Sequence, residues 1–198
     1  MSTSSFSVLS NCIAASAGTG KTYRLVSRFI ALLCLGARPD SLVALTFTNK
    51  AAGEFRNRIL EALAQGALFV PDAKLPPVKR RNPLAVRVVE TLFGAPASAG
   101  AAAETVPLLA GADAALLQRA HAAGVFPEDF AELHELLGHA LDAPYFCGLL
   151  EQLIRQLPQL QLSTLDSFFQ KLVVSHCFDV GVSGISVSTL GSDLNSDF

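Results

Sequence analysis

The first 64 residues alternate between short apolar runs and longer stretches whose apolar positions fall three and four apart. Ser10 to Ala14 (Ser-Asn-Cys-Ile-Ala) is short and apolar and reads as a strand, followed by a glycine-containing turn. From Gly20 to Leu35, Leu25, Val26, Phe29, Ile30, Leu32 and Leu33 recur at helical spacing, which predicts an amphipathic helix ended by Gly36. Leu42 to Phe47 (Leu-Val-Ala-Leu-Thr-Phe) is a continuous apolar run bounded by Pro39 and Asp40, the pattern of a parallel strand buried on both faces. Thr48 or Asn49 can cap the next helix, which runs to about Ala64 with Phe55, Ile59, Leu60 and Leu63 on one face. Strand, helix, strand, helix in this order predicts an α/β fold with a parallel sheet.

The pattern changes from Gly66 to about Pro158. Pro71, Pro76, Pro77 and Pro83 mark loop, and Ala95 to Ala103 is an Ala/Gly/Ser-rich surface segment. Helical periodicity returns at about 112–122, 127–141 and 144–156. Leu160 to Thr164 again reads as a strand and Ser167 to Val174 as the start of a helix. The expected organisation is therefore a first part of an α/β core over 1–66, a mostly helical insertion over 67–158, a return to the core over 159–180, and an irregular tail over 181–198.

Composition narrows the classes. Hydrophobic residues make up 51% of the 198 and charged residues 16%, with a mean hydropathy of +0.41, which excludes a disordered chain. Fifteen Lys and Arg against seventeen Asp and Glu exclude a uniformly basic nucleic-acid coat. No apolar run reaches the roughly 18–20 residues of a spanning helix, and Met1 to Ser5 carry no Lys or Arg, so no membrane partner is expected and the expected location is cytoplasmic. Cys12, Cys34, Cys147 and Cys177 form no C-x-x-C pair and read as buried thiols. His134 and His139 are five residues apart, one too many for a zinc-protease helix face.

Ala15-Ser16-Ala17-Gly18-Thr19-Gly20-Lys21-Thr22 fits [A/G]-x-x-x-x-G-K-[S/T] between a strand-like segment and a helix. By average composition such a match arises by chance in about 1–2% of chains this long, and its position between strand and helix sharpens it. Small residues let backbone N–H groups enclose phosphate oxygens, and the helix N-terminus adds donors and a favourable dipole. Lys21 supplies a mobile charge for β- and γ-phosphates, and the Thr22 hydroxyl completes Mg²⁺ coordination. The loop alone does not name a reaction, because kinases, transporters, GTPases and helicases share it.

A second segment, Leu45-Thr46-Phe47-Thr48-Asn49-Lys50-Ala51-Ala52-Gly53-Glu54-Phe55, leaves the second strand for the next helix. It places hydroxyls, an aromatic, an amide and a cation at a strand end, where open α/β sheets bind ligands. From the residues alone two readings stand for each position. Phe47 stacks on a base or packs in the core, and Thr48 and Asn49 hold a phosphate or Thr48 caps the helix.

Together, "ASAGTGKT" and "TFTNKAAGEF" resemble motifs I and Ia of UvrD/Rep-type superfamily 1 DNA helicases, with a spelling similar to the RecB and AddA helicase–nuclease subunits. Ser163-Thr164-Leu165-Asp166-Ser167-Phe168-Phe169 stands where that family carries a T-x-H-S-F-like motif after a long insertion. The resemblance covers about residues 11–64 and 160–175. It implies a RecA-like P-loop fold, a parallel sheet with helices on both faces, in which residues 15–22 bind Mg-ATP and Thr22 contacts the metal. It further implies that Phe47, Thr48, Asn49, Thr164 and Phe168 line a path for single-stranded DNA, and that a second helicase–nuclease subunit is a partner. Asp166 departs from the family's histidine and receives no DNA contact. No Gln precedes Ala15, so no base preference is implied.

No D-E-x-Q-D segment follows the third motif. The resemblance therefore carries the expectation that the chain is the ATP-binding N-terminal piece of a helicase acting in repair or recombination, interrupted near residue 180, holding an incomplete sheet and inactive by itself. Two other functions compete: a non-catalytic nucleotide- or DNA-binding remnant, and an unrelated P-loop kinase, against which the second motif argues. Lys74, Lys79, Arg80, Arg81 and Arg87 form the densest basic stretch, read as a solvated loop in preference to a DNA-backbone contact.

Overall fold

The computed structural model describes residues 7–10, 20–72, 74, 81–94, 107–111, 133 and 136–176. Their order is β1 (Ser7–Val8), α1 (Lys21–Cys34), β2 (Val43–Thr46), α2 (Asn49–Ala67), α3 (Pro83–Phe93), β3 (Leu109–Ala110), α4 (Ala143–Arg155), β4 (Gln161–Thr164) and α5 (Leu165–Ser175). The chain is an α/β protein of helices and small sheets. Of the expected strand 10–14, Ser10 is irregular and the rest lies outside the described residues, as do the expected helix at 112–122, most of that at 127–141, and the tail 181–198.

Among the described residues the expected parallel sheet is represented by one strand pair. Among the described residues the strands form two two-stranded sheets, β2 with β4 and β1 with β3. The first pair is parallel, with Val43 opposite Gln161 and Thr46 opposite Thr164. The second is antiparallel, with Ser7 opposite Ala110. Contrary to expectation, β2 is not buried on both faces. Its alternate side chains Val43 and Leu45 are 51% and 38% exposed, while Ala44 packs against the core. The period-two split that a continuous apolar run conceals is thus present in the fold.

Helical periodicity locates the core more closely. On α1, Val26, Phe29, Ile30 and Leu33 are buried, and on α2, Phe55, Ile59 and Leu63. The Phe29 and Phe55 rings meet edge to face with centroids 5.8 Å apart. The C-terminus of α1 closes as a Schellman turn. Gly36 stands at φ +85°, its N–H donates to Leu33 O, and Ala37 N–H donates to Leu32 O. Thr48, not Asn49, caps α2, its Oγ1 accepting from Ala51 N–H at 3.1 Å.

Pro83, expected to mark loop, instead opens α3. Asn82 caps it by accepting from Leu84 N–H at 3.0 Å, and proline at the first helical position gives up a donor that has no helical acceptor. The Asn82 amide also donates to Gly66 O at 2.8 Å, tying the start of α3 to the end of α2. Gly66 is where α2 meets both neighbours. A Cβ there would lie 2.6 Å from Leu84 Cδ2 and 3.1 Å from Phe146 Cδ2. Helices α3 and α4 bury Leu84, Val88, Val89, Leu92, Phe146, Leu149 and Leu153 in the same hydrophobic cluster as α1 and α2.

The thiols divide. Cys34 is buried at the end of α1, but Cys147 is exposed on α4, contrary to the expectation of uniformly buried cysteines. It lies on the α4 face opposite Phe146 and Leu149, which occupy the core. Cys12 and Cys177 lie outside the described residues. His139 is a packing residue: its ring stacks on Tyr145 at 3.7 Å and its Nε2 lies 3.1 Å from Cys34 O. No described helix is long and apolar enough to cross a membrane.

Candidate functional site

Two groups of residues carry the chemistry singled out from the sequence. The first opens α1. Residues Ala15, Ser16, Ala17, Gly18 and Thr19 lie outside the described residues, and Gly20, Lys21 and Thr22 are described. Gly20 occupies the N-cap position at φ +77°, ψ +21°, a left-handed conformation that L side chains rarely adopt, so glycine is needed for the chain to turn into the helix here. No described side chain caps the helix, and an ideal Cβ on Gly20 would meet no described atom within 4 Å. The helix starts at once, Arg24 N–H donating to Gly20 O at 3.0 Å. Lys21 is exposed and Thr22 half-buried.

This first turn is held from the side by α3. Arg87 Nη2 donates to Tyr23 O at 2.8 Å, and its Nε donates to Ser27 Oγ at 2.5 Å. Ser27 Oγ in turn donates to Tyr23 O at 2.8 Å, and the guanidinium lies 3.7 Å from the centre of the Tyr23 ring. Burial lowers the Arg87 pKa from its ordinary value, and the adjacent Tyr23 opposes that shift. Arg87 is therefore not part of a solvated basic loop. Lys79 and Arg80 lie outside the described residues, and Lys74 is exposed. The sequence signal is available in Asn82-Pro83, a cap followed by a first-turn proline, which places Arg87 on a helix. Tyr23 and Ser27 carry no motif, and their involvement is visible only once α1 meets α3.

The second group lies at the carboxyl end of the parallel pair. Because Thr46 stands opposite Thr164, the chain leaves both strands at the same edge and enters a helix from each. Thr164 caps α5, accepting from Ser167 N–H at 3.2 Å and donating to Ser167 Oγ at 2.9 Å. Thr46 Oγ1 donates to Thr48 O at 2.9 Å, bracing the turn that carries Phe47. Phe47 is 88% exposed, which removes the core-packing alternative for its ring. Thr48 and Asn49 are exposed, Thr164 is buried, and Phe168 is half-buried one turn into α5, edge to face with Phe169. The fold thus gathers Phe47, Thr48, Asn49, Thr164 and Phe168, from segments more than a hundred residues apart, at one edge. Gly20, Lys21 and Thr22 sit apart from that edge in the chain, at the head of a helix packed on α2 and α3. Asp166 occupies the first turn of α5, where a carboxylate complements the helix dipole. Among the described residues no group of three or more His, Cys, Asp or Glu could hold a metal ion.

Comparison with known proteins agrees with the motif reading. The model of the UvrD/REP helicase N-terminal domain matches residues 5–197. The chain is 42% identical over 66 residues to an ATP-dependent helicase/nuclease subunit from Clostridium perfringens, a stretch covering 32% of this chain and 5% of that protein. It is 49% identical over 53 residues to the protein of the same name from Heliobacterium modesticaldum, covering 27% and 4%. It is 44% identical over 59 residues to a Mycoplasma pneumoniae protein named "Probable DNA helicase", covering 29% and 11%. The matched stretches thus span 4–11% of the length of these relatives. No solved structure matches. With the family match running over nearly every residue, the chain belongs to the UvrD/REP helicase N-terminal domain family.

Proposed function

We propose that this chain is the ATP-binding part of an ATP-dependent DNA helicase or translocase of the UvrD, RecB and AddA type, with a RecA-like P-loop core, acting in DNA repair or recombination. One observation carries this reading furthest. The register Thr46 opposite Thr164 places the two segments that resemble DNA-side motifs at one strand edge, with the Phe47 ring turned to solvent. An exposed aromatic beside two helix N-termini suits a single strand, whose bases stack on the ring while phosphates meet the positive ends of the helices.

The head of α1 fits Mg-ATP in chemistry. Its first turn has no described side-chain cap, and no described atom lies within 4 Å of a Cβ on Gly20, an arrangement in which backbone donors suit an anion. Residues 15–22 would hold the nucleotide, Lys21 meeting the β- and γ-phosphates and Thr22 the Mg²⁺. Bound Mg²⁺ neutralises phosphate charge. The 198 residues contain no D-E-x-Q-D run, so hydrolysis by this chain is expected to fall far below that of helicases that have one. A second helicase–nuclease subunit is the proposed partner.

The test titrates Mg-ATP and a single-stranded oligonucleotide separately. Lys21→Ala is expected to weaken Mg-ATP binding at least tenfold, and Phe47→Ala to weaken oligonucleotide binding about tenfold, the scale of one lost base stack. Unchanged nucleotide affinity in Lys21→Ala removes the ATP-site reading, and unchanged oligonucleotide affinity in Phe47→Ala removes the DNA path.

A further inference from the structure

We infer that Arg87 is a positioning residue for the nucleotide site, locking the first turn of α1 so that Lys21 and Thr22 are held in place from α3. This rests on the reading of Lys21 and Thr22 as phosphate and Mg²⁺ contacts. The geometry is specific to that turn. Arg87 donates to Tyr23 O, one residue beyond Thr22, and to the hydroxyl of Ser27 one turn on. Ser27 closes the triangle by donating to Tyr23 O, and the guanidinium covers the Tyr23 ring at 3.7 Å. The carbonyl and ring of Tyr23 and the hydroxyl of Ser27 thus meet one planar cation, two through separate guanidinium nitrogens and the third through its face.

The need for such a brace follows from how the helix begins. No described side chain caps α1, and its N-cap is a glycine, which contributes neither a side-chain acceptor nor conformational restraint. A helix end without a side-chain cap is prone to fray, and a frayed first turn scatters the side chains that would meet phosphate. Elsewhere in the fold the corresponding restraint is a cap: Thr48 on α2, Asn82 on α3, Asp142 on α4 and Thr164 on α5 each accept a backbone N–H of their own first turn. At α1, where a capping side chain would occupy the anion's place, a restraint among the described residues comes from the neighbouring helix α3. Lysine at position 87 keeps the charge but loses the planar fork.

The experiment compares wild type with Arg87→Ala, Arg87→Lys, Lys21→Ala and Val88→Ala, the last a core truncation on the same helix that leaves the Tyr23 contacts in place. Each is read by Mg-ATP titration, by thermal melting and by hydrogen exchange of the Arg24 amide, which forms the first backbone bond of α1. Arg87→Ala is expected to weaken Mg-ATP about tenfold and to speed Arg24 exchange by a similar factor, with Arg87→Lys recovering little of either. Val88→Ala is expected to lower the melting temperature at least as much while leaving Mg-ATP affinity near wild type. Arg24 exchange unchanged in Arg87→Ala, or affinity lost equally in Val88→Ala, would overturn the proposal. If Lys21→Ala leaves Mg-ATP affinity intact, the nucleotide reading fails instead, and the positioning claim fails with it even where Arg24 exchange responds.

Discussion

Glu90, half-buried on α3, has its carboxyl raised above the ordinary carboxylate value, because burial strips water from the charged form. A raised folded-state value means that the contribution of Glu90 to stability is fully present below the unfolded value and is lost as pH rises through the folded one. At pH 7 the charge therefore opposes folding. Glu90→Gln is expected to gain roughly 0.5 kcal/mol at pH 7, a figure reduced for the group's partial exposure, and nothing at pH 4. Urea unfolding at the two pH values checks this, and an equal gain at both would assign the effect to packing. Cys34 poses the related case of a thiol. Burial pushes it up to about 12, against a hydrogen bond from Tyr145 that acts the other way. A neutral, enclosed thiol is a poor nucleophile. Maleimide at pH 8 is expected to label Cys147 in the native chain and Cys34 only after denaturation, with peptide mass spectrometry as the readout. Labelling of native Cys34 would show that the end of α1 opens readily.

At the scale of elements, what the sequence discloses is local. The faces of α1 and α2 are legible because a period of 3.6 needs no partner to be seen, and Val26, Phe29, Phe55 and Ile59 are buried as that period requires. The Gly36 stop is legible for the same reason. Helix α3 is hidden because Pro83 looks like a breaker, although the residue before it makes that proline a helix start. The strands β1 and β3, two residues each, are too short to show any period. Their pairing, like that of Thr46 with Thr164, is non-local, and only the family resemblance points to the second. Phe47 shows the limit most directly: an aromatic ending an apolar run reads equally as core or as a contact, and only the turn held by Thr46 and Thr48 shows that its ring is exposed. The Asn82 cap gives the element-level prediction. Its side chain accepts from Leu84 N–H and donates to Gly66 O while itself buried, so Asn82→Ala leaves both partners wanting. A loss of about 2 kcal/mol is expected, whereas Asn82→Asp, which keeps the cap and loses the donor, should fall between. Equal losses for the two variants would mean that the cap contributes nothing and the bond to Gly66 everything.

For the whole molecule the question is whether the segment over 67–158, expected from the sequence to be an insertion, is energetically separable from the parts that carry the motifs. The packing of the described residues predicts that it is not. Phe146, fully buried on α4, lies against α2 at Gly66, and Leu84 and Val88 of α3 belong to the same cluster as Ile30 of α1 and Ile59 of α2. The stability of α1 and α2 therefore depends on residues far along the chain, through the shared cluster. Truncating Phe146 to Ala removes a ring from the middle of that cluster and is expected to lower stability by about 3–5 kcal/mol. If the cluster is one cooperative unit, the loss appears in a single unfolding transition, and slowly exchanging amides of α1 and α2 lose protection together with those of α4. An independent insertion would behave differently: two transitions would be resolved, and α1 and α2 would keep their protection in Phe146→Ala. Denaturant unfolding followed by hydrogen exchange distinguishes the two. The cooperative outcome would also set a rule for interpreting nucleotide-binding variants of this chain: a substitution on α3 or α4 counts as acting on the site only when its effect on Mg-ATP exceeds that of an equally destabilising core truncation.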